Sequence, residues 1–109
     1  MCCRYAINEA VISRYPSIRR QGDIRPSESA PAIVAGGIME LSWGFERQGK
    51  PLVINARGET AWEKPMFREA MALHRCALPA AWFYEWDRQK QRNVFHPADG
   101  GILLLPARL

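Results

Sequence analysis

A chain of 109 residues with 48% hydrophobic and 24% charged positions has room for one globular domain, and its composition is neither disordered nor fibrous. No apolar run is long enough to cross a bilayer, and the N-terminus turns polar at Arg4, so neither a membrane span nor a secretory leader is expected. The net charge of +4 comes from 15 Lys and Arg against 11 Asp and Glu, arginine predominating, which admits a phosphate-bearing partner without requiring one.

In chain order, Cys2–Ala6 reads as a short strand. Asn8 is placed to cap a brief helix over Glu9–Tyr15 that ends at Pro16. From Ser17 to Pro31, arginine, serine and proline recur without a period, which predicts a long surface loop. Strands follow at Ile33–Val34, at Ile38–Trp43 and at Pro51–Ala56. Pro65 suits a first helical turn, and Met66, Phe67, Ala70, Met71 and His74 make a helical stripe suited to core packing. Pro79 then stands as a breaker. Trp82–Trp86 is an aromatic strand, and Asn93–His96 and Ile102–Leu105 are strands around a turn at Pro97–Gly101. The continuous apolar run of that last strand predicts burial on both faces. The expected class is α+β, a mostly antiparallel sheet or partial barrel with short helices, in a single domain over residues 1–109.

The chemistry starts at Met1-Cys2. Once the initiator is removed, Cys2 presents an amine and a thiol on one carbon skeleton. The amine condenses with an aldehyde to an imine, and the thiol closes on it as a thiazolidine. An α-amino group titrates at about 7.7–8.0 and a thiol at about 8.5, so both nucleophiles are accessible near neutral pH. The cysteines Cys2, Cys3 and Cys76 form no CxxC pair and are odd in number, which fits free thiols in a reducing cytoplasm. Neither they nor His74 and His96 have the spacing of metal ligands, and no cofactor is expected.

Several segments, in one order along nearly the whole chain, closely resemble the SOS response-associated peptidase family. They are Met1-Cys2-Cys3-Arg4-Tyr5, Ile24-Arg25-Pro26-Ser27, Trp43-Gly44, Asn55-Ala56-Arg57-Gly58-Glu59-Thr60, Glu63-Lys64-Pro65-Met66-Phe67-Arg68, Arg75-Cys76-Ala77-Leu78-Pro79-Ala80 and Phe83-Tyr84-Glu85-Trp86. Members of that family shield abasic sites in single-stranded DNA by covalent crosslinking. The resemblance implies that Cys2 forms a thiazolidine with the ring-opened abasic sugar, that Asn55 orients the N-terminal group, and that Glu85 is the general acid/base. It implies phosphate contacts from Arg4 and Arg57, and a DNA-binding cleft lined by Trp43 and Trp86. Removal of the chain's own initiator or leader, the origin of the word peptidase, and a nucleoid-associated place in the cytoplasm follow from the same likeness.

Strand alternation adds that Glu85 shares a face with Phe83, opposite Tyr84 and Trp86. Three departures from the family pattern bear on activity. Cys3 stands where the family has glycine. The family's catalytic histidine has no counterpart, since its motif lies beyond Leu109, and losing a general acid/base typically costs about 10²–10⁴-fold in rate. The final Pro106-Ala107-Arg108-Leu109 fits nothing in the pattern, so a C-terminally truncated member is expected, with sheet edges open to self-association. The alternatives are a non-catalytic single-stranded DNA binder and a non-functional remnant.

Overall fold

Ten short elements follow one another in a computed structural model that describes residues 3–55 and 61–108, the side chains of Met66, Phe67, Met71 and Arg108 excepted. They are β1 (Tyr5–Ile7), α1 (Glu9–Arg14), β2 (Gly22–Ile24), β3 (Ser29–Val34), β4 (Gly37–Ser42), α2 (Pro65–Leu73), β5 (Arg75–Ala80), β6 (Trp82–Trp86), β7 (Arg92–Phe95) and β8 (Leu103–Arg108). The strands form two antiparallel four-stranded sheets, ordered β2-β1-β6-β7 and β4-β3-β5-β8. The class is α+β, as the residue patterns indicated, and the two sheets do not close into a barrel.

One core joins the sheets. The first contributes Tyr5, Ile7 and Ile24, each at most 1% exposed, and the second contributes Ala30 and Ala80, with Leu78, Leu103 and Leu105 packed against them. Burying such side chains is worth roughly 1.5–3 kcal/mol for each large aliphatic one. Helix α1 is too short to persist by propensity alone. It is held by its fully buried Val11 and by the Asn8 cap, whose Oδ1 accepts from the Val11 N–H at 3.2 Å. Pro65 opens α2 as its residue type favours, and Ala70 is the buried member of the expected stripe. His74 ends that helix half-exposed, and Met66, Phe67 and Met71 have side chains outside the described set.

Five expectations are corrected. The segment read as a loop over Ser17–Pro31 contains β2 and most of the buried part of β3. Its small residues, Ala30, Pro31 and Ala32, are fully enclosed, and burial rather than propensity makes them strand. Pro79 does not break the chain; it lies inside β5, the central strand that joins β3 to β8. Here β5 pairs with β3 at Ala77 and Ile33 and with β8 along its length, and Pro79, which has no N–H to give, is fully buried within it.

The strand expected over residues 51–56 is, in its described part, one bridge between Val53 and Phe45. The apolar run in β8 is not buried on both faces: Leu103 and Leu105 pack on the core, while Leu104 between them is 53% exposed. As an edge strand with one free face, β8 alternates where a central strand would not. The turn after β7 also does not close a hairpin, because β7 and β8 belong to different sheets.

Two connections set the geometry of the site. Only Ala81 separates β5 from β6, so the chain passes from one sheet to the other almost without a break, its N–H donating to the Ala6 carbonyl at 2.8 Å. Between β2 and β3, the turn Arg25-Pro26-Ser27-Glu28 has proline at its second position and Ser27 at φ 73°, and the Glu28 N–H donates to the Arg25 carbonyl. That is the type II pattern, in which the third residue must enter the left-handed region.

Candidate functional site

The first sheet carries the chemistry-bearing residues, and its register sorts them onto two faces. Directly paired residues in an antiparallel ladder point to the same side. Tyr5 pairs with Ile24 and with Phe83, and Glu85 with Asn93, so Tyr5, Phe83 and Glu85 share the inner face. Ala6 pairs with Asp23 and Trp82, and Trp86 with Arg92, so Asp23, Trp82, Tyr84, Trp86 and Arg92 share the opposite face. Glu85 therefore stands with Phe83 and away from Trp86, as strand alternation indicated. Half-buried, it lies on the strand next to the one that leads to the N-terminus.

Strand β1 continues its pairing toward that terminus. The Tyr84 N–H donates to the Arg4 carbonyl at 3.0 Å, which holds the backbone beside Arg4 against β6. Cys3, next along, is half-buried, as is Cys76. Cys2 and Arg57, both expected site residues, lie outside the described residues.

Trp43 is half-buried between the sheets. Its ring centroid is 5.7 Å from that of Tyr5, and its indole Nε1 donates to the Ile54 carbonyl at 3.2 Å. The bond ties the segment after β4 to the residue just before Asn55. The Phe45–Val53 bridge, with N–H donations of 2.7 and 3.0 Å in the two directions, ties it again. Asn55 is half-buried, and both it and Glu85 are engaged by neighbouring groups. Trp43 and Trp86 are not brought together: one lies against Tyr5, the other on the far face beside Tyr84.

On that far face, Arg4 and Trp86 do meet. The Arg4 guanidinium carbon is 5.1 Å from the Trp86 ring centroid and 5.8 Å from that of Tyr84, and the two rings are tilted at 6.2 Å. Cation–π contacts of this kind are worth about 0.5–1 kcal/mol where exposed and more where desolvated. Asp23 anchors the group: its carboxylate lies 3.7 Å from Arg4 and 3.9 Å from Arg25, and it accepts the Tyr84 hydroxyl at 3.1 Å. The Tyr84 hydroxyl in turn accepts from the Trp82 indole at 2.8 Å. Next to it, Glu28 takes the Arg25 N–H at 2.8 Å and the Arg20 guanidinium at 2.9 Å, which together hold its carboxyl below the ordinary 4.5.

Tyr84, Asp23 and Arg92 are among the residues of this face that the sequence reading does not single out. Tyr84 had a signal, since alternation places it beside Trp86. Asp23 sat in the stretch taken for a loop, and nothing local marks it. Arg92 has only its distance from a hairpin turn to recommend it. Of the two histidines, His74 lies 3.6 Å from Glu69 at the end of α2, and His96 directs Nδ1 to the Pro97 carbonyl at 3.1 Å. Among the described residues, no group of three His, Cys, Asp or Glu side chains is placed to hold a metal ion, and no helix is long and apolar enough to cross a membrane. An open depression of about 640 Å³, lined by Ser27, Glu46, Arg47, Gln48, Lys50 and Leu52, contains none of the expected site residues.

Known proteins are similar to this chain in sequence and in fold. A protein from Bacillus subtilis (strain 168) named abasic site processing protein YoaM is 39% identical over 77 residues, covering 61% of this chain and 34% of that protein. The abasic site processing protein YoqW of Bacillus phage SPbeta is 38% identical over 77 residues, covering 61% of this chain and 34% of its own length. The match thus spans about a third of each relative. A crystal structure of a protein from Bordetella bronchiseptica superposes with a TM-score of 0.76 at 25% identity, covering 98% of this chain and 63% of that one. The family model described as SOS response associated peptidase (SRAP) matches residues 1–107, and the chain belongs to that family.

Proposed function

We propose that this chain processes abasic sites in single-stranded DNA, forming a covalent crosslink through Cys2 after removal of Met1. The observation that carries the reading is the pinning of β1 against β6. The Tyr84 N–H to Arg4 carbonyl bond holds the chain two residues past Cys2 alongside the strand that bears Glu85. An aldehyde reached by the N-terminal amine would lose water to give an imine, and the thiolate would add to the imine carbon to close a thiazolidine. Glu85 is assigned the proton transfers that open the sugar and expel water, and Asn55 the orientation of the amine. Arg4 and Arg57 are assigned the phosphates flanking the lesion and Trp86 a wall of the DNA path, while Trp43, packed against Tyr5, is assigned the support of the segment that leads to Asn55. Removal of Met1 by the same cysteine is the associated peptidase step. The names of the Bacillus relatives support the substrate.

The competing reading is a binder without chemistry. It is favoured by the contacts of His74 with Glu69 and of His96 with the Pro97 carbonyl, which engage both imidazoles elsewhere. One experiment separates the two. Untagged protein is incubated with single-stranded DNA carrying one abasic site, then run on a denaturing gel and weighed by intact mass. A heat-stable adduct that disappears in Cys2→Ala supports the crosslinking reading. Folded, Met1-free protein that binds the DNA but forms no adduct overturns it in favour of the binder.

A further inference from the structure

Arg92 opens β7 directly across from Trp86, on the face that carries Arg4 and Tyr84. Its guanidinium carbon lies 5.0 Å from the Tyr84 ring centroid, so two arginines approach one tyrosine, Arg4 at 5.8 Å being the other. Their electrostatic situations differ. Arg4 is about a quarter exposed and has the Asp23 carboxylate at 3.7 Å. Arg92 is exposed, and among the described residues no carboxylate lies within ion-pair distance of it. Among the described residues, the contact recorded for its guanidinium is the Tyr84 ring rather than an acid.

A guanidinium over an aromatic ring keeps N–H groups for a planar or tetrahedral anion, in a fork that lysine does not offer. Beside it, the Trp86 ring is 37% exposed and is available as a stacking surface. Cross-strand neighbours in such a pair sit about 4.5–5.5 Å apart at Cβ, a spacing that suits a base on the ring and its adjoining phosphate on the cation. We infer that Arg92 is a phosphodiester contact for single-stranded DNA, extending the path from Arg4 across Trp86 to the β7 edge. The inference rests on the proposed substrate, and it adds a residue and a direction to it.

The test measures binding of an undamaged single-stranded oligonucleotide by fluorescence anisotropy across a salt series, for the unaltered chain, Arg92→Ala and Arg92→Lys. Removing one phosphate contact should make the slope of log K against log salt shallower by about 0.7, with Arg92→Lys keeping the slope. Arg92→Gln, which retains the stem over Tyr84, serves in place of Arg92→Ala if the latter melts early. An unchanged slope in a variant lacking the charge, against a chain that binds, overturns the role of Arg92 and leaves the proposed substrate standing. No binding by the unaltered, folded chain overturns both.

Discussion

Gly44 shows how little freedom the backbone has beside the site. It has φ 119°, and a Cβ built there would run into the Leu52 side chain. Both neighbours matter: Trp43 binds Ile54, and Phe45 bridges Val53, so the backbone at Gly44 is pinned on either side. Gly44→Ala is expected to lower stability by about 1–3 kcal/mol, from backbone strain and from the overlap. Urea unfolding checks this, and the loss should shrink in a Leu52→Ala background, where the overlap is gone and the strain remains. Equal losses in both backgrounds would mean that Leu52 simply moves aside. Ser27, at φ 73° in its turn, shows that this chain tolerates a non-glycine residue in the left-handed region where the side chain is exposed. Position, not residue type alone, decides the cost.

Strand β8 makes the corresponding point about an element. Its apolar run, Ile102-Leu103-Leu104-Leu105, reads as buried on both faces, yet Leu103 and Leu105 meet the core while Leu104 between them is exposed. Leu105→Ala is expected to cost about 1–3 kcal/mol, while Leu104→Ala should fall within about 0.5 kcal/mol of the unaltered chain. Denaturant midpoints of the two variants settle it, and equal losses would mean that the outer face of β8 is covered in solution. The helices were legible for local reasons: Asn8 is a side-chain cap and Pro65 a first-turn residue, and both act within one turn of themselves. Strands β2 and β5 were not. Gly22–Ile24 is too short to show a period, and Arg75–Ala80 contains a proline, which locally argues against a central strand.

Across the whole molecule, the two sheets do not have separate cores. Tyr5, Ile7 and Ile24 pack with Ala30 and Ala80 in one cluster, with Trp43 at its margin and Ala81 as the one-residue link between β5 and β6. Neither sheet can lose its partner and keep its buried face. Unfolding is therefore expected to be a single cooperative transition, followed together by tryptophan fluorescence and by far-ultraviolet circular dichroism. Transitions that separate by more than experimental error would show that the sheets melt independently.

The division between what residues announce and what folding decides follows from the range of the forces involved. Caps, turn residues and the alternation that sets Glu85 apart from Trp86 act between near neighbours, so they are readable from the chain alone. So is family membership, because its motifs are runs of adjacent residues. The separation of Trp43 from Trp86, the meeting of Arg4 with Trp86 and Tyr84, and the anchoring of that group by Asp23 depend on strand order. Asp23 reaches Tyr84 from 61 positions away in sequence. Contacts of that kind arise only when β2, β1 and β6 align in one sheet, and that alignment is chosen by burying Tyr5, Ile7 and Ile24 in a shared core.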